Sequence, residues 1–276
     1  MIPFNFSYAR PSSIKEAVLL WDEFDKKGKA PVYYAGGTEI ITFGREMKTA
    51  PGLVIDIKAI KACLEFRQDA VIAYGAALPL NTVAERTASG LVRDAVSAIA
   101  DHTIRNRLTL GGNIAGRLPF KEALLPFLVL GGIARISGPR GRRTMKLDAG
   151  FDKRLRLRKG ELITGFTLDP GKINDPWFYA RKQKDSPVDY PILTACFSGK
   201  PGRIRMAVSG AFSFPLRDKK TEMILNTAGL SPGERAKKAV DGLSLLFKSD
   251  FRASSRYRQH LMRQTIENAL YRLETP

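Results

Sequence analysis

Two doubled glycines constrain this chain more than any other feature. The first lies in Tyr34-Ala35-Gly36-Gly37-Thr38-Glu39-Ile40, after a short apolar run, and the second in Thr109-Leu110-Gly111-Gly112-Asn113-Ile114. Because glycine has no Cβ, each pair predicts a turn with positive φ, where the backbone can approach a bulky ligand. Successive amides in such turns form an anion-binding concavity. Two pairs far apart in the sequence therefore predict one pyrophosphate that is held from two sides.

The first pair sits in a β-α-β pattern. We expect a strand over 30–35, a short helix or turn over 38–48 and a second strand over 53–57. The glycines follow the first strand, at the end where open α/β sheets bind ligands. The chain contains neither G-x-G-x-x-G nor G-x-x-x-x-G-K-[ST], so neither a Rossmann dinucleotide site nor a P-loop is indicated.

Local signals divide the rest of the chain into helices, hairpins and two domains. Ser13 and Glu16 form a capping box that predicts a helix ending at Gly28. Further elements are expected as helices over 81–88, 91–100, 231–247 and 254–273, as hairpins over 133–147 and 192–208, and as a strand over 162–168. Asp169-Pro170-Gly171 predicts a boundary between a domain over 1–170, with subdomains of about 1–59 and 60–170, and a domain over 171–276.

Composition indicates a globular chain. Hydrophobic residues make up 44% of 276 residues, enough for a sizeable core. No apolar run approaches the roughly 20 residues of a membrane helix. The segment Met1-Ile2-Pro3-Phe4-Asn5-Phe6 lacks the basic and apolar regions of a secretory signal, so we expect a cytoplasmic protein.

Few residues here can ligate a metal or act as nucleophiles. Cys63 and Cys196 are the two cysteines, and in a chain with no export signal we expect reduced, buried thiols. Two cysteines cannot supply the four ligands of an iron–sulfur cluster or a structural zinc site. His102 and His260 stand alone, with no second ligand at metal spacing. The same isolation argues against Ser-His-Asp hydrolysis.

The chain is strongly basic, with 45 Lys and Arg against 27 Asp and Glu. Such a balance fits nucleic acid, an acidic partner subunit or an anionic nucleotide. The densest stretch runs from Arg135 to Lys159, and 153–159 alternates charge with leucine, which predicts a strand with its arginines outward. A plain solvated strand face is the simpler interpretation. Nucleic-acid binding would require interleaved aromatic residues, and this stretch contains only Phe151.

Together the glycine motifs resemble a known family. Ala35–Ile40 followed by Met47-Lys48 resembles the first FAD motif, and Ile104–Ala115 the second FAD motif, of the medium subunit of molybdenum hydroxylases. This is the flavoprotein subunit of the xanthine dehydrogenase and carbon monoxide dehydrogenase group. The resemblance covers the whole chain in length and motif order. Either double glycine alone would be weak evidence, because glycine pairs are mostly plain turns.

The resemblance implies an α+β fold of the vanillyl-alcohol-oxidase/cresol-methylhydroxylase type. Two subdomains clasp an extended FAD, and a small α+β C-terminal domain covers the flavin. The residues implied to bind the FAD pyrophosphate and nearby ribityl from the first subdomain are Tyr34, Ala35, Gly36, Gly37, Thr38, Glu39 and Ile40. Those implied from the second are Ile104, Thr109, Gly111, Gly112 and Asn113.

Further contacts are implied beyond the glycine motifs. Family members continue the second motif with Ser-Pro-x-x-Asp, and here Leu118-Pro119-Phe120-Lys121-Glu122 stands in that place. Glu122 is thereby implied to accept cofactor hydroxyls; otherwise it is a glutamate that favours a helix N-terminus. Trp177–Lys182, with Asp189-Tyr190, resembles the stretch beside the isoalloxazine: Tyr179 is implied to shield the flavin, Arg181 or Lys182 to lie near the ring or the acceptor, and Ile163 to make an apolar contact. A half-buried strand aromatic is the alternative for Tyr179.

The function implied by the resemblance is electron transfer through FAD. In the family, a large molybdopterin subunit hydroxylates the substrate, and electrons pass through two [2Fe–2S] clusters of a small subunit to this FAD, then to NAD⁺, oxygen or another acceptor. We therefore expect a heterotrimer or its dimer, with no catalytic residue or metal in this chain. Two alternatives remain open: a stand-alone FAD oxidoreductase of the same fold, and a basic module that binds nucleic acid or a partner.

Overall fold

The first glycine pair follows an edge strand of a small parallel sheet. In the computed structural model, which describes residues 2–184 and 189–275, this sheet has the order β1-β3-β2, with β1 at Ser7–Ala9, β2 at Pro31–Tyr34 and β3 at Leu53–Asp56. Helices α1 (Ile14–Lys26) and α2 (Thr38–Arg45) follow β1 and β2. The β-α-β prediction is confirmed, and β1 is an addition because its three residues carry no strand pattern. Ser13 accepts the Glu16 amide and Gly28 takes φ 68° just after α1, as predicted, but the Glu16 carboxylate accepts the amide of Ser12 instead of Ser13, so the capping box is half formed.

A five-stranded antiparallel sheet forms the largest layer. Its order is β4-β5-β10-β6-β7, with β4 at Phe66–Gln68, β5 at Ile72–Gly75, β6 at Ile133–Gly138, β7 at Gly141–Lys146 and β10 at Leu162–Leu168. The chain between β5 and β6 forms α3 (Leu80–Arg86), α4 (Gly90–Ser97), α5 (His102–Arg105), α6 (Leu110–Ala115) and α7 (Leu124–Val129). Tyr74, Phe127 and Phe166 are fully buried between the sheet and α7. The predicted hairpin over 133–147 is confirmed.

The basic stretch after β7 forms little regular structure. It contains α8 (Leu147–Gly150) and a ribbon of β8 (Phe151–Asp152) and β9 (Arg154–Leu155). The predicted strand over 153–159 is therefore wrong in length, yet its alternation holds. Leu155 is buried, whereas Arg154, Arg156 and Arg158 are exposed. Short elements of this kind are held by the side chains that they bury.

A third sheet is buried on both faces. It has the order β11-β12-β13, with β11 at Trp177–Lys182, β12 at Leu193–Ser198 and β13 at Arg205–Ser209. One face packs against α10 (Pro232–Gly242) and α11 (Ser255–Glu274), which follow α9 (Lys219–Leu225). The other face packs against α4 and α7. This double burial explains why all of β12 is inaccessible to water, as is typical of a strand that reads as a continuous apolar run.

Three further predictions concern the cysteines, membrane-spanning helices and the domain boundary. Cys63 and Cys196 are both free and buried, and burial raises the pKa of the Cys63 thiol to about 12. Within residues 2–184 and 189–275, no helix combines the length and apolarity that crossing a membrane requires. The division at residue 170 stays a prediction.

Candidate functional site

A long cleft brings the two glycine motifs together. Its volume is about 1380 Å³, above the range of about 300–1,000 Å³ that is usual for small-molecule sites. One end lies beside α1 and the segment 157–162, the middle between α2 and α6, and the other end against the third sheet. Predicted site residues that line it are Ala35, Gly36, Gly37, Thr38, Glu39, Ile40, Ile104, Thr109, Gly111, Gly112, Asn113, Glu122 and Ile163.

The first glycine motif presents unpartnered amides to the cleft. Gly37 is the N-cap of α2 and has φ 74°, a conformation that side chains with Cβ rarely adopt. Among the residues that the structure describes, the amides of Thr38, Glu39 and Ile40 have no acceptor. These are the first N–H groups of a helix, which have no intrahelical partner and lie at the positive end of its dipole. This corner is built to receive an anionic group.

The second glycine motif does not form the turn with positive φ that its sequence predicts, so that prediction is wrong. Gly111 and Gly112 lie inside α6 and have no positive φ. The α6 amides are already satisfied: Leu110 donates to the Leu78 carbonyl at 3.0 Å, Gly111 to Ala76 at 2.8 Å and Gly112 to Thr109 Oγ1 at 3.2 Å. The motif therefore offers no convergent amides. A second pyrophosphate grip of the expected kind is absent because the tight packing of α6 on β5 uses these groups.

Close packing explains the second pair better than a turn does. A Cβ on Gly111 would lie 2.8 Å from the Ala76 carbonyl oxygen, so this glycine lets α6 lie against the end of β5. Gly112 faces the cleft, is exposed, and would meet only Thr109 Oγ1. Asn113 Oδ1 accepts the Ala123 amide at 3.0 Å. The motif thus provides a smooth wall with the Asn113 amide group at its edge.

The two motifs touch each other directly. A Cβ on Gly36 would overlap the carbonyl oxygen of Arg107, which lies just before α6. The Glu39 carboxylate accepts the amide of Arg117 at 2.7 and 2.8 Å and that of Leu118 at 3.0 Å. Glu39 therefore joins α2 to the segment after α6 through both oxygens of its carboxylate. The glycine and the glutamate together set the width of the cleft.

Glu122 anchors the end of the cleft that lies against the third sheet. Its side chain is buried, pairs with Arg181 Nε at 2.8 Å and accepts from Thr194 Oγ1 at 2.7 Å. Both contacts go to Oε1, so Oε2 has no partner among the described residues. Arg181 also donates to the Asp189 carbonyl at 2.7 Å. Glu122 thus keeps one oxygen with which it can accept a hydrogen bond in the cleft.

Side chains along β11 point alternately to the two faces of the sheet. Of the three site residues predicted on this strand, Arg181 is the one that lines the cleft. Arg181 lines the cleft, whereas Lys182 points to the opposite, exposed side and is absent from the lining. Tyr179 shares the Arg181 face but lies deeper, packed on the main core, with a buried hydroxyl that has no hydrogen-bond partner among the described residues. Burial raises the pKa of the Tyr179 phenol well above its usual value. The structure therefore places neither Lys182 nor Tyr179 at the cleft.

Two aromatic residues other than Tyr179 line the cleft beside Arg181. Phe120 and Tyr190 stack with ring centroids 4.4 Å apart and an interplanar angle of 13°. The Arg252 guanidinium lies 5.3 Å from the Tyr190 ring centroid. All three line the cleft. Sequence reasoning missed Phe120 and Arg252, because no local pattern marks residues 132 positions apart as neighbours.

Tyr34 is the one predicted residue of the first motif that lies outside the cleft lining. Its ring lies under Lys58 Nζ, 4.3 Å from the centroid, and against the backbone of Gly37. Lys58 Nζ also donates to the Ala35 carbonyl at 3.1 Å and pairs with buried Asp56 at 2.9 Å. Tyr34 therefore supports the glycine turn from behind. Ile163, on β10, lies in the apolar wall as expected.

Comparisons with known proteins agree with this geometry. Residues 4–168 match the family described as the FAD binding domain in molybdopterin dehydrogenase. The nicotine 6-hydroxylase medium subunit of Paenarthrobacter nicotinovorans is 30% identical, over 95% of this chain and 96% of that protein. The carbon monoxide dehydrogenase medium chain of Hydrogenophaga pseudoflava is also 30% identical, over 55% of this chain and 53% of its own. A solved carbon monoxide dehydrogenase from Hydrogenophaga pseudoflava shares the fold, with a TM-score of 0.85 at 24% identity, over 99% of this chain and 98% of the matched one.

Proposed function

Since this chain belongs to the family of FAD-binding medium subunits of molybdenum hydroxylases, and FAD is its cofactor, we propose that it carries electrons between partner subunits and an external acceptor. Electrons would come from the [2Fe–2S] clusters of a small subunit and leave to NAD⁺ or another acceptor. The observation that carries the proposal is the single cleft that joins unpartnered amides at Gly37 to a polar, aromatic-lined end beside Arg181.

The residues present fit FAD. The free amides of Thr38, Glu39 and Ile40 suit its pyrophosphate, because a helix N-terminus favours anions. The exposed face of Gly112 leaves room for the chain of the dinucleotide. Glu122 Oε2 would accept a ribityl hydroxyl, and Arg181, Phe120 and Tyr190 would surround the flavin ring. When bound, FAD supplies the redox chemistry, since it accepts electrons in pairs or singly.

This chain's own groups position and shield the cofactor. Glu39 and Gly36 hold α2 and the segments that flank α6 at a set separation through direct contacts. The Glu122–Arg181 pair is fixed by Thr194 and by the Asp189 carbonyl. Preorganised polar groups of this kind stabilise charge without rearrangement at the moment of transfer. No acid or base of this chain is required to move a proton.

The clusters and the molybdenum cofactor would belong to partner subunits. This chain has two cysteines, both buried singly, and a cluster of the usual kind requires four ligands. The relatives are named as medium subunits or chains, which supports a place in a complex over a stand-alone enzyme. We therefore propose a heterotrimer with a large molybdopterin subunit and a small [2Fe–2S] subunit. The substrate would be selected in the large subunit.

The test follows the electrons through the full chain in complex with its partners. We expect one FAD per chain after reconstitution, and bleaching of its visible absorption by anaerobic NADH if NAD⁺ is the acceptor. Bleaching by the substrate of the complex but not by NADH would point to another acceptor. An FAD-loaded complex whose flavin is reduced neither by substrate nor by NADH would overturn the electron-carrier proposal.

A further inference from the structure

Lys121 is a buried cation between Phe120 and Glu122, in the segment after α6 that lines the cleft. Its side chain is 5% exposed, and the residue lines the cleft. Its φ is 37°, in the left-handed region that favours glycine and asparagine. Nζ donates a hydrogen bond to the carbonyl of Gly116, at the C-terminus of α6. An ammonium group has three donors, so this bond does not satisfy it.

Three cations around Phe120, Tyr190 and Glu122 are each paired with a carboxylate. Arg181 pairs with Glu122 at 2.8 Å, Arg252 with Asp189 at 3.5 Å, and Lys248 with Asp250 at 3.3 Å. Among the described residues, Lys121 Nζ has no carboxylate within ion-pair distance. Buried lysines are rare unless they are paired. Lys121 therefore adds to the lining of the cleft a positive charge that has no direct carboxylate partner in the part of the chain that the structure describes.

Two carboxylates lie near Lys121 and both are committed elsewhere. Glu39, on α2, accepts the amides of Arg117 and Leu118, and its charge raises the pKa of Lys121 slightly. Glu122, the next residue, pairs with Arg181 on β11. Burial outweighs the attraction of Glu39 and lowers the pKa of Lys121 to about 8. Burial of the charged Lys121 ammonium therefore costs free energy, and a new negative charge in the cleft would reduce that cost.

We propose that Lys121 raises the reduction potential of bound FAD by stabilising its reduced form. The inference rests on the proposed function. Uptake of two electrons and one proton adds one negative charge to FAD, and the electrons come from the partner's clusters. A buried cation at the lining of the cleft stabilises that added charge more than it stabilises the oxidised cofactor. Lys121 is a positioning and charge-supplying residue, not one that transfers a proton.

The test compares four variants of the full chain reconstituted with FAD. Lys121→Met removes the charge, and Lys121→Asn removes it with a residue that tolerates positive φ. Lys121→Arg retains the charge. Lys182→Met removes the same charge from the opposite face of β11, outside the cleft. FAD stoichiometry is read from the visible spectrum, and the midpoint potential from equilibration with reference dyes.

We expect both neutral variants to bind reduced FAD about tenfold more weakly relative to oxidised FAD, because they lose one charge–charge interaction. By the two-electron constant this lowers the midpoint potential by about 30 mV. Lys121→Arg and Lys182→Met keep the parent potential. The difference between the parent and Lys121→Met should shrink from about pH 7 to about pH 10, as Lys121 loses its proton. A merely structural role would not give that pH dependence.

Each other result has a distinct meaning. Equal potentials in the parent and both neutral variants, at full FAD occupancy, would overturn the inference and leave the proposed function intact. A potential that falls equally in Lys182→Met would also overturn it, because the effect would then come from net charge. Should Lys121→Met not fold, Lys121→Asn carries the measurement. A parent chain that binds no FAD, even with its partners, overturns the proposed function itself.

Discussion

The two glycine motifs carry the same dipeptide and use it for different physical purposes. At Gly37 the missing Cβ permits φ 74° and leaves the first amides of α2 free. At Gly111 it permits α6 to pack on β5, with its amides bonded to Ala76, Leu78 and Thr109. The first motif supplies hydrogen-bond donors. The second motif permits close packing of α6 on β5, and its glycines line the cleft without side chains. A shared sequence pattern therefore does not establish a shared contact with the ligand.

The difference between the two motifs is tested most directly by adding a side chain to each of them. Gly36→Val forces a Cβ into the Arg107 carbonyl, so we expect a loss of about 3 kcal/mol in the free energy of unfolding together with the loss of FAD. Gly112→Val points into the cleft, so we expect FAD binding to be lost with a stability change of about 1 kcal/mol or less. Denaturant unfolding and bound-FAD absorbance measure both.

Gly242→Val is the matched control for this pair. Gly242 is an exposed helical glycine whose Cβ would meet nothing within 4 Å. It should retain FAD with a small change in stability. If Gly112→Val binds FAD as well as Gly242→Val does, the second motif does not border the cofactor.

Lys121, whose Nζ bonds to Gly116 at the C-terminus of α6, offers a second test. Here the measured quantity is the free energy of unfolding of the FAD-free chain. Lys121 has a pKa of about 8 against a usual 10.5, so folding disfavours its charged form. At about 1.4 kcal/mol per pKa unit, the cost is about 3 kcal/mol below pH 8, offset by about 1 kcal/mol from the bond to Gly116. We expect Lys121→Met to raise the free energy of unfolding by about 2 kcal/mol at neutral pH.

The sign of the pH dependence follows from the same pKa. The cost of Lys121 is fully present below its folded pKa and is relieved as pH rises from about 8 towards 10.5. The gain from Lys121→Met should therefore disappear as the pH rises and turn into a loss of about 1 kcal/mol, which is the bond to Gly116. Urea unfolding across that pH window measures it, with Lys182→Met as the control. A gain that does not change with pH would assign the effect to packing instead of charge.

Glu39 tests the connection between the motifs. Glu39→Gln keeps the size of the side chain but leaves one oxygen to accept the amides of Arg117 and Leu118. We expect a loss of about 1 kcal/mol in stability and a several-fold weaker affinity for FAD, because the cleft is no longer held at one width. Glu23→Gln, which breaks an exposed pair with Lys27 outside the cleft, should change neither quantity. Titration of FAD by flavin fluorescence measures the affinity.

The smallest effect on the motifs is expected from the exposed arginines outside the cleft. Changing Arg154, Arg156 and Arg158 to Glu should leave stability and FAD binding unchanged, because all three side chains face solvent. It should weaken subunit assembly, or the reaction with NADH, in a salt-dependent way. The control changes the exposed Lys220, Lys237 and Lys238 to Glu. If both triple variants behave alike at low salt, the arginine surface is only a solvated face.

Local sequence determined much of this fold. A capping box at Ser231 and Glu234 begins the helix that is predicted from residue 231, the hairpin turns at Gly138–Gly141, and β2 runs into the glycine turn and α2. The resemblance identified the family and FAD from two short motifs. These features were readable because each depends on interactions within about four residues, which leave their spacing in the sequence.

Only the tertiary structure decided which residues share the cleft. Arg181 lines it and Lys182 does not, because packing of the third sheet on α4 and α7 selects one face of β11. Glu39 meets Arg117 across 78 positions, and Phe120 stacks on Tyr190 from another sheet. Such contacts depend on how separately formed elements pack, and a single sequence carries no spacing that records that packing. The same packing uses up the α6 amides and leaves those of α2 free to bind an anion.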